Sequence, residues 1–150
     1  MEHPPQSAVL LLAEDDDDDF LLVQEALQES RVLHELYRVK DGEEAMNFLL
    51  RRGPYQKPQA APTPALILLD LNMPRKDGHE VLREIKSNPA LRHIPVVILT
   101  TSKAEADIVC SYDLGVNSFI RKPGSFQGLV GALQALTHYW FKIVELPTKG

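Results

Sequence analysis

The sequence has few of the features that mark disulfide-rich, zinc-binding or membrane proteins. Cys110 is its single cysteine among 150 residues, which excludes an intrachain disulfide framework and any zinc site built from several thiolates. The longest apolar run near the start, Ala8 to Ala13, is far shorter than the ~18 residues that a membrane span requires. No basic segment with a cleavage pattern marks a signal peptide. We therefore expect a cytoplasmic protein that is not attached to a membrane.

Positive charge is also scarce. Lys and Arg number 16 against 21 Asp and Glu, a net charge of −5. Nucleic-acid binding depends on neutralising phosphates, so this balance argues against a nucleic-acid partner. Hydrophobic residues at 44% and charged residues at 25% are typical of one globular domain and not of a disordered chain.

Short apolar runs rich in Val, Ile and Leu alternate with segments of helical period. The runs mostly lack polar alternation, which is typical of strands covered on both faces. The predicted strands are Val9–Ala13, Leu36–Val39, Ala65–Leu69, Ile94–Leu99 and Ser118–Ile120. The predicted helices are Asp18–Ser30, Gly42–Arg51, His79–Ser87, Ala104–Asp113 and Phe126–His138. This alternation predicts an α/β fold, a flavodoxin-like doubly wound sheet of five parallel strands with five helices.

Two segments stand outside the alternation. Residues 53–64 hold four prolines and are predicted to form an exposed loop within a domain that covers residues 1–138. Residues 139–150 are predicted to form a C-terminal extension, which begins with Tyr139, Trp140 and Phe141. Aromatic residues are enriched at protein interfaces, so we expect these three to form a self-association surface in a homodimer.

Polar side chains follow the predicted strands at the points where they end. The first strand runs into Glu14 and Asp15, the third into Asp70, the fourth into Thr100 and the fifth toward Lys122. Ligands of parallel α/β sheets bind beyond the carboxyl ends of the strands. We therefore expect these groups to share one cleft.

Three carboxylates in one cleft stay ionised only beside cations. Lys122 would supply one positive charge and Mg²⁺ two, which balances Glu14, Asp15 and Asp70. Mg²⁺ prefers a few carboxylate or carbonyl oxygens together with waters and phosphate oxygens. A carboxylate beside a metal and a lysine can attack a phosphoryl group to form an aspartyl phosphate. The strand ends thus predict phosphoryl chemistry.

Four motifs at these strand ends resemble the response-regulator receiver domain of two-component signalling. In family order they are Leu10–Asp16 (LLLAEDD), Leu68–Gly78 (LLDLNMPRKDG), Val96–Ser102 (VVILTTS) and Ser118–Pro123 (SFIRKP). The resemblance covers about residues 8–138. The ALQES sequence of the first helix, the proline-rich loop and the aromatic tail are similar to those of single-domain regulators that partner cyanobacterial and other bacterial phytochromes.

The resemblance implies a phosphoacceptor and a metal site. Asp70 would take a phosphoryl group from the phosphohistidine of a histidine kinase, such as a phytochrome. Asp15 and Asp70 would ligate Mg²⁺, Glu14 would hold the waters of the metal, and Asn72 would offer its backbone carbonyl. Such a protein is a signalling phosphoacceptor that turns over no external substrate.

The resemblance also implies a switch. Thr100 and Lys122 would each contact a phosphoryl oxygen, and Thr100 would move together with Phe119 on the fifth strand. The surface formed by the fourth helix, the fifth strand and the fifth helix would change as a result. Many receivers carry Tyr or Thr at the position of Phe119, and a phenylalanine offers no hydroxyl to a partner.

Other readings of the same residues stay open at the level of sequence. A phosphatase of the haloacid-dehalogenase type needs a second Asp two residues after its nucleophile, where this chain has Asn72. A flavodoxin that binds FMN needs a phosphate loop after the first strand, where this chain is acidic. A receiver-like binding module that is never phosphorylated is a further alternative.

Asp16 to Asp19 are predicted to start the first helix, since acidic residues favour its first turn.

Overall fold

The computed structural model describes residues 8–29, 34–57, 61–70, 73, 76, 78–100, 118–121 and 126–138, of which residues 8, 34, 100, 118–121, 126, 129 and 136–138 by their backbone alone. The strands are β1 (Ala8–Ala13), β2 (His34–Val39), β3 (Leu66–Asp70), β4 (Val96–Thr100) and β5 (Ser118–Arg121). The helices are α1 (Asp17–Glu29), α2 (Gly42–Leu50), α3 (Gly78–Ser87) and α4 (Phe126–His138). No helix within these ranges is long and apolar enough to cross a membrane.

The predicted elements agree closely with the structure, and the differences are at their ends. β2 begins at His34 instead of Leu36, because the whole segment pairs in register with β1. β3 extends one residue further than predicted, so Asp70 is the last residue of its strand. β4 begins at Val96 instead of Ile94. The predicted helix Ala104–Asp113, including Cys110, lies outside the described residues.

All five strands are parallel, in the order β2-β1-β3-β4-β5. The chain leaves β1 toward one side of the sheet and returns to β3 on the other side. β1 and β3 therefore flank the point where the strand order reverses, which is where open α/β sheets bind their ligands. Ala13 at the end of β1 pairs with Val39 of β2 and with Leu69 of β3, so the three strands end at the same edge.

The central strands β1, β3 and β4 are buried on both faces, which explains why they are apolar without alternation. On one face, Leu11, Ile67 and Ile98 pack with residues of α2 and α3. On the other face, the chain neighbours of these residues, such as Leu10 and Leu68, pack with α1 and α4. Because neighbouring residues of a strand point to opposite faces, β1 to β4 each contribute residues to both cores.

The proline-rich loop is anchored to α2. It was predicted to be exposed, but part of it is buried. Arg51 ends the helix with a positive φ of 55°, and its side chain reaches across the loop. Its Nε–H donates to the Ala61 carbonyl (3.0 Å), and its Nη2–H donates to Thr63 Oγ1 (3.2 Å). These bonds hold the returning end of the loop on the domain, where Ala61 and Pro64 are buried.

Tyr55, in the short 3-10 turn Gly53–Tyr55, is a second anchor of the loop. Its hydroxyl donates to Glu44 Oε2 (3.0 Å), and its ring packs edge-on against Phe48 (5.2 Å between centroids). Burial of the ring, followed by the hydrogen bond to the negative Glu44, raises the pKa of Tyr55 to about 12. The anchor therefore requires a protonated phenol.

Tyr55 is expected to make the protein lose stability at alkaline pH. Below pH 10 the phenol is protonated in the folded and unfolded states, and its contribution is complete. Between pH 10 and about 12 the unfolded phenol ionises first, so the free energy of unfolding falls. Urea unfolding at pH 8 and pH 11 should show a smaller loss for Tyr55→Phe than for the unmodified chain. An equal loss in both proteins would show that other groups cause the alkaline effect.

Candidate functional site

Three carboxylates meet at the sheet edge where β1 and β3 end. Glu14 and Asp15 directly follow β1, and Asp70 is the last residue of β3. One carboxylate oxygen from each lies within 4.8 Å of the other two. Glu14 is completely buried, Asp70 is 5% exposed and Asp15 is exposed, so the cluster is closed on one side and open to solvent on the other. The juxtaposition predicted for these three residues is present.

The backbone after β1 is held by β2. The Glu14 N–H donates to the Val39 carbonyl (2.9 Å), which continues the ladder one residue beyond the strand. The Glu14 carbonyl accepts from Nε–H of Arg38 (3.0 Å). Both backbone polar groups of Glu14 are therefore bonded to the neighbouring strand, and the peptide that leads into Asp15 has a fixed plane.

The acidic run after Asp15 starts α1. Asp16 is the capping residue: the Asp19 N–H donates to Asp16 Oδ1 (3.0 Å), and the Phe20 N–H donates to the Asp16 carbonyl (3.0 Å). The Asp16 N–H in turn donates to Glu14 Oε2 (3.3 Å). The structure thus places Asp16 at the helix start, as expected, and links this cap to the carboxylate cluster.

Basic side chains on β2 and just after it pair with the same turn. Arg38 Nη2 lies 2.8 Å from Asp17 Oδ1, and Lys40 Nζ lies 3.9 Å from that oxygen. The hydrogen bond and charge of Arg38, together with the charge of Lys40, lower the pKa of Asp17. The charge of Asp17 is consequently balanced by these cations, and Asp17 is not a member of the carboxylate cluster.

The carboxylate cluster fits a small divalent cation. Its donors are all hard oxygens, which Mg²⁺ prefers, and its open side leaves room for the waters that Mg²⁺ keeps. Two of its three carboxyl groups are withdrawn from solvent, where clustered negative charge is costly without a cation. Asp15 and Asp70 would hold the metal, and Glu14 would hold its waters.

The structure describes only some of the other predicted site residues. Thr100 ends β4 next to β3, and Phe119 pairs with Ile98 in the β4–β5 ladder, both by backbone position alone. Asn72, Lys122 and the aromatic segment Tyr139, Trp140 and Phe141 lie outside the described residues. Their predicted roles stay predictions.

Two residues near the site were not singled out from the sequence. The only sequence signal for Arg38 is its place as a basic residue in the short strand β2. This strand pairs with β1, which leads into the acidic run. Gly42 begins α2, and a Cβ on it would overlap the backbone carbonyl of Lys76, which precedes α3. No sequence pattern predicts this close approach of Gly42 to Lys76, because the two residues are distant in the chain.

Comparison with known proteins identifies the same family as the four sequence motifs. The family model "Response regulator receiver domain" matches residues 10–134. Response regulator Rcp1 of Synechocystis sp. is 48% identical over 126 residues, which is 84% of this chain and 84% of that protein. The solved structure of the phosphorylated cyanobacterial phytochrome response regulator RcpA is 46% identical with a TM-score of 0.86, covering 95% of this chain and all of that one.

A further similar structure contains a bound metal. The solved structure of the Mn²⁺-bound form of Rcp1 is 48% identical with a TM-score of 0.82, covering 94% of this chain and 99% of that chain. The resemblance of the four sequence motifs and the predicted fold are thereby confirmed. The chain belongs to the family of response regulator receiver domains, the signalling proteins of two-component systems.

Proposed function

We propose that Asp70 accepts a phosphoryl group from the phosphohistidine of a histidine kinase, with Mg²⁺ bound beside it. The observation that carries this proposal is the meeting of Glu14, Asp15 and Asp70 within 4.8 Å at the edge where β1 and β3 end. Asp70 is the last residue of a buried strand, which fixes the position of its backbone at the site. A carboxylate oxygen would form the new bond to phosphorus as the bond from phosphorus to the histidine nitrogen breaks.

The remaining site residues have distinct proposed roles. Asp15, Asp70 and the Asn72 carbonyl hold Mg²⁺, and Glu14 holds waters of the metal. When bound, Mg²⁺ neutralises charge on the phosphoryl oxygens. Lys122 adds a second positive charge beside them. The Mn²⁺-bound form of the relative Rcp1 supports binding of a divalent cation.

Thr100 and Phe119 form the proposed switch. The Thr100 hydroxyl would bond a phosphoryl oxygen, and the Phe119 ring would turn inward behind it. Both lie on neighbouring parallel strands, β4 and β5, which supports the coupling. The surface that changes would comprise the predicted fourth helix, β5 and α4.

The proposed kinase is a bacterial phytochrome, and the proposed place of action is the cytoplasm. Support comes from RcpA, the cyanobacterial phytochrome response regulator that is 46% identical over nearly the whole chain. A homodimer formed through Tyr139, Trp140 and Phe141 in the segment 139–150 is also proposed. No external metabolite would be turned over.

Asp70 is expected to be the single residue phosphorylated by acetyl phosphate. Intact mass after incubation with acetyl phosphate and Mg²⁺ should show a gain of one phosphoryl group, which EDTA and Asp70→Asn each prevent. Asp41→Asn is the matched control, because Asp41 is also a buried acid after a neighbouring strand but caps α2. Asparagine caps helices as well as aspartate does, so this variant should be phosphorylated normally.

Two results would contradict the proposal. Phosphorylation that persists in Asp70→Asn would place the acceptor elsewhere. A folded, Mg²⁺-loaded protein that gains no phosphoryl group would be a receiver-like binding module.

A further inference from the structure

We infer that Arg38 is a positioning residue for the metal-binding turn, holding the peptide between Glu14 and Asp15 in the orientation that Mg²⁺ requires. This inference rests on the proposed function, since it concerns the same metal site. Arg38 lies on β2, and its Nε–H bonds the backbone from which Asp15 projects, so it acts on the metal through the turn.

The hydrogen bond to Glu14 is the central contact. The Glu14 N–H is bonded to Val39 by the regular ladder, whereas its carbonyl lies beyond the end of β1 and accepts from Arg38 Nε–H (3.0 Å). Without Arg38, the Glu14 carbonyl would lose its hydrogen bond to β2. The peptide plane before Asp15 could then rotate, and the direction of the Asp15 carboxylate with it.

Arg38 is itself held in place from two further sides. Its Nη2 forms the 2.8 Å ion pair with Asp17, and its guanidinium carbon lies 4.4 Å from the centroid of the Phe20 ring. The Arg38 side chain is 14% exposed, whereas that of its ion-pair partner Asp17 is 72% exposed. Arg38 thereby joins the metal-binding turn to the first turn of α1. A planar guanidinium can make these contacts together, whereas a lysine ammonium cannot.

Charge and position predict opposite effects of removing Arg38. The positive charge of Arg38 repels a cation, so loss of charge alone would tighten Mg²⁺ binding. Loss of the bond to Glu14 would loosen Asp15 and weaken Mg²⁺ binding. Residues that orient metal ligands typically contribute about 10–100-fold to metal affinity, so the positional effect is expected to dominate.

The test compares Arg38→Gln, Arg38→Lys and Lys40→Gln. Urea unfolding in EDTA and in graded MgCl₂ gives the stability of the apoprotein and, from the increase with Mg²⁺, the Mg²⁺ affinity of each protein. Arg38→Gln and Arg38→Lys should each bind Mg²⁺ about tenfold more weakly than the unmodified chain. Lys40→Gln removes a nearby positive charge but leaves the bond to Glu14 intact, and should bind Mg²⁺ at least as tightly as the unmodified chain.

The outcomes separate the possible explanations. Arg38→Lys keeps the charge, so weaker binding in this variant supports positioning even if Arg38→Gln fails to fold. Lower stability in EDTA with an unchanged Mg²⁺ affinity in Arg38→Lys would show a merely structural role and overturn the inference. An unmodified chain that is not stabilised by Mg²⁺ would overturn the proposed metal site, and the inference with it.

Discussion

Asp15→Asn is expected to weaken Mg²⁺ binding on the order of 100-fold, since a direct ligand should contribute at least as much as the groups that orient it. The same substitution should raise the free energy of unfolding in EDTA by about 0.5–1 kcal/mol, the size of an exposed charge interaction. The reason is that Asp15 lies within 4.8 Å of two other carboxylates, Glu14 and Asp70, which repel it when no cation is bound. Urea unfolding with and without Mg²⁺ should therefore show that the order of stability of the two proteins reverses.

Asp16→Asn is the matched control for this prediction. It makes the same chemical change one residue later, at a carboxylate outside the cluster. Asparagine can still accept the hydrogen bond from the Asp19 N–H, so the cap of α1 is retained. Mg²⁺ affinity in Asp16→Asn should be close to that of the unmodified chain. Equal weakening in both variants would show that general negative charge, and not ligation by Asp15, attracts the metal.

Most of the fold could be predicted because two simple signals agree. The strands are continuous apolar runs, and the structure shows that both of their faces are buried under helices. The helices show a 3.6-residue period, and the acidic run from Asp16 predicts the start of α1, where Asp16 accepts from the Asp19 N–H. Among the predicted elements that the structure describes, the ends differed, since pairing with a neighbouring strand extended β2 back to His34.

The candidate carboxylate cluster could also be predicted, because parallel strands end at one edge of the sheet. Glu14, Asp15 and Asp70 needed only their positions after β1 and β3 to be brought together. Arg38 could not be predicted in the same way. Its contact with Glu14 depends on the β1–β2 register and on a side-chain rotamer, neither of which is visible in the sequence.

The proline-rich loop shows a further limit of composition as a guide. Four prolines predict an exposed segment, yet Ala61 is 1% exposed and packs in the hydrophobic core, and its carbonyl accepts a hydrogen bond from Arg51. The prediction depended on the composition of the loop, whereas the structure shows contacts of the loop with the core and with Arg51 at the end of α2. Contacts made by a single long side chain are therefore the part of this structure that sequence patterns describe least well.

Gly42→Ala is expected to lower the free energy of unfolding by about 3 kcal/mol, at the upper end of typical overpacking effects. A Cβ at Gly42 would overlap the carbonyl oxygen and carbon of Lys76 and approach its Cβ closely. Main-chain atoms cannot swing aside as the end of a flexible side chain can, so α2 or the segment before α3 must shift. That segment follows Asp70 in the chain and contains Asn72, the proposed source of a metal-binding carbonyl. Stabilisation by Mg²⁺ should therefore decrease as well.

Two other glycines provide controls for this effect. Gly53 has a positive φ of 58°, but a Cβ added to it would meet nothing within 4 Å, so Gly53→Ala should cost only about 1 kcal/mol through backbone strain. Gly131 is an exposed residue within α4 with open space around it, so Gly131→Ala should stabilise by about 0.5–1 kcal/mol. Urea unfolding of the three variants should rank Gly131→Ala above Gly53→Ala and Gly42→Ala last. If Gly42→Ala is as stable as Gly53→Ala and keeps its response to Mg²⁺, the approach of α2 to Lys76 does not constrain the site.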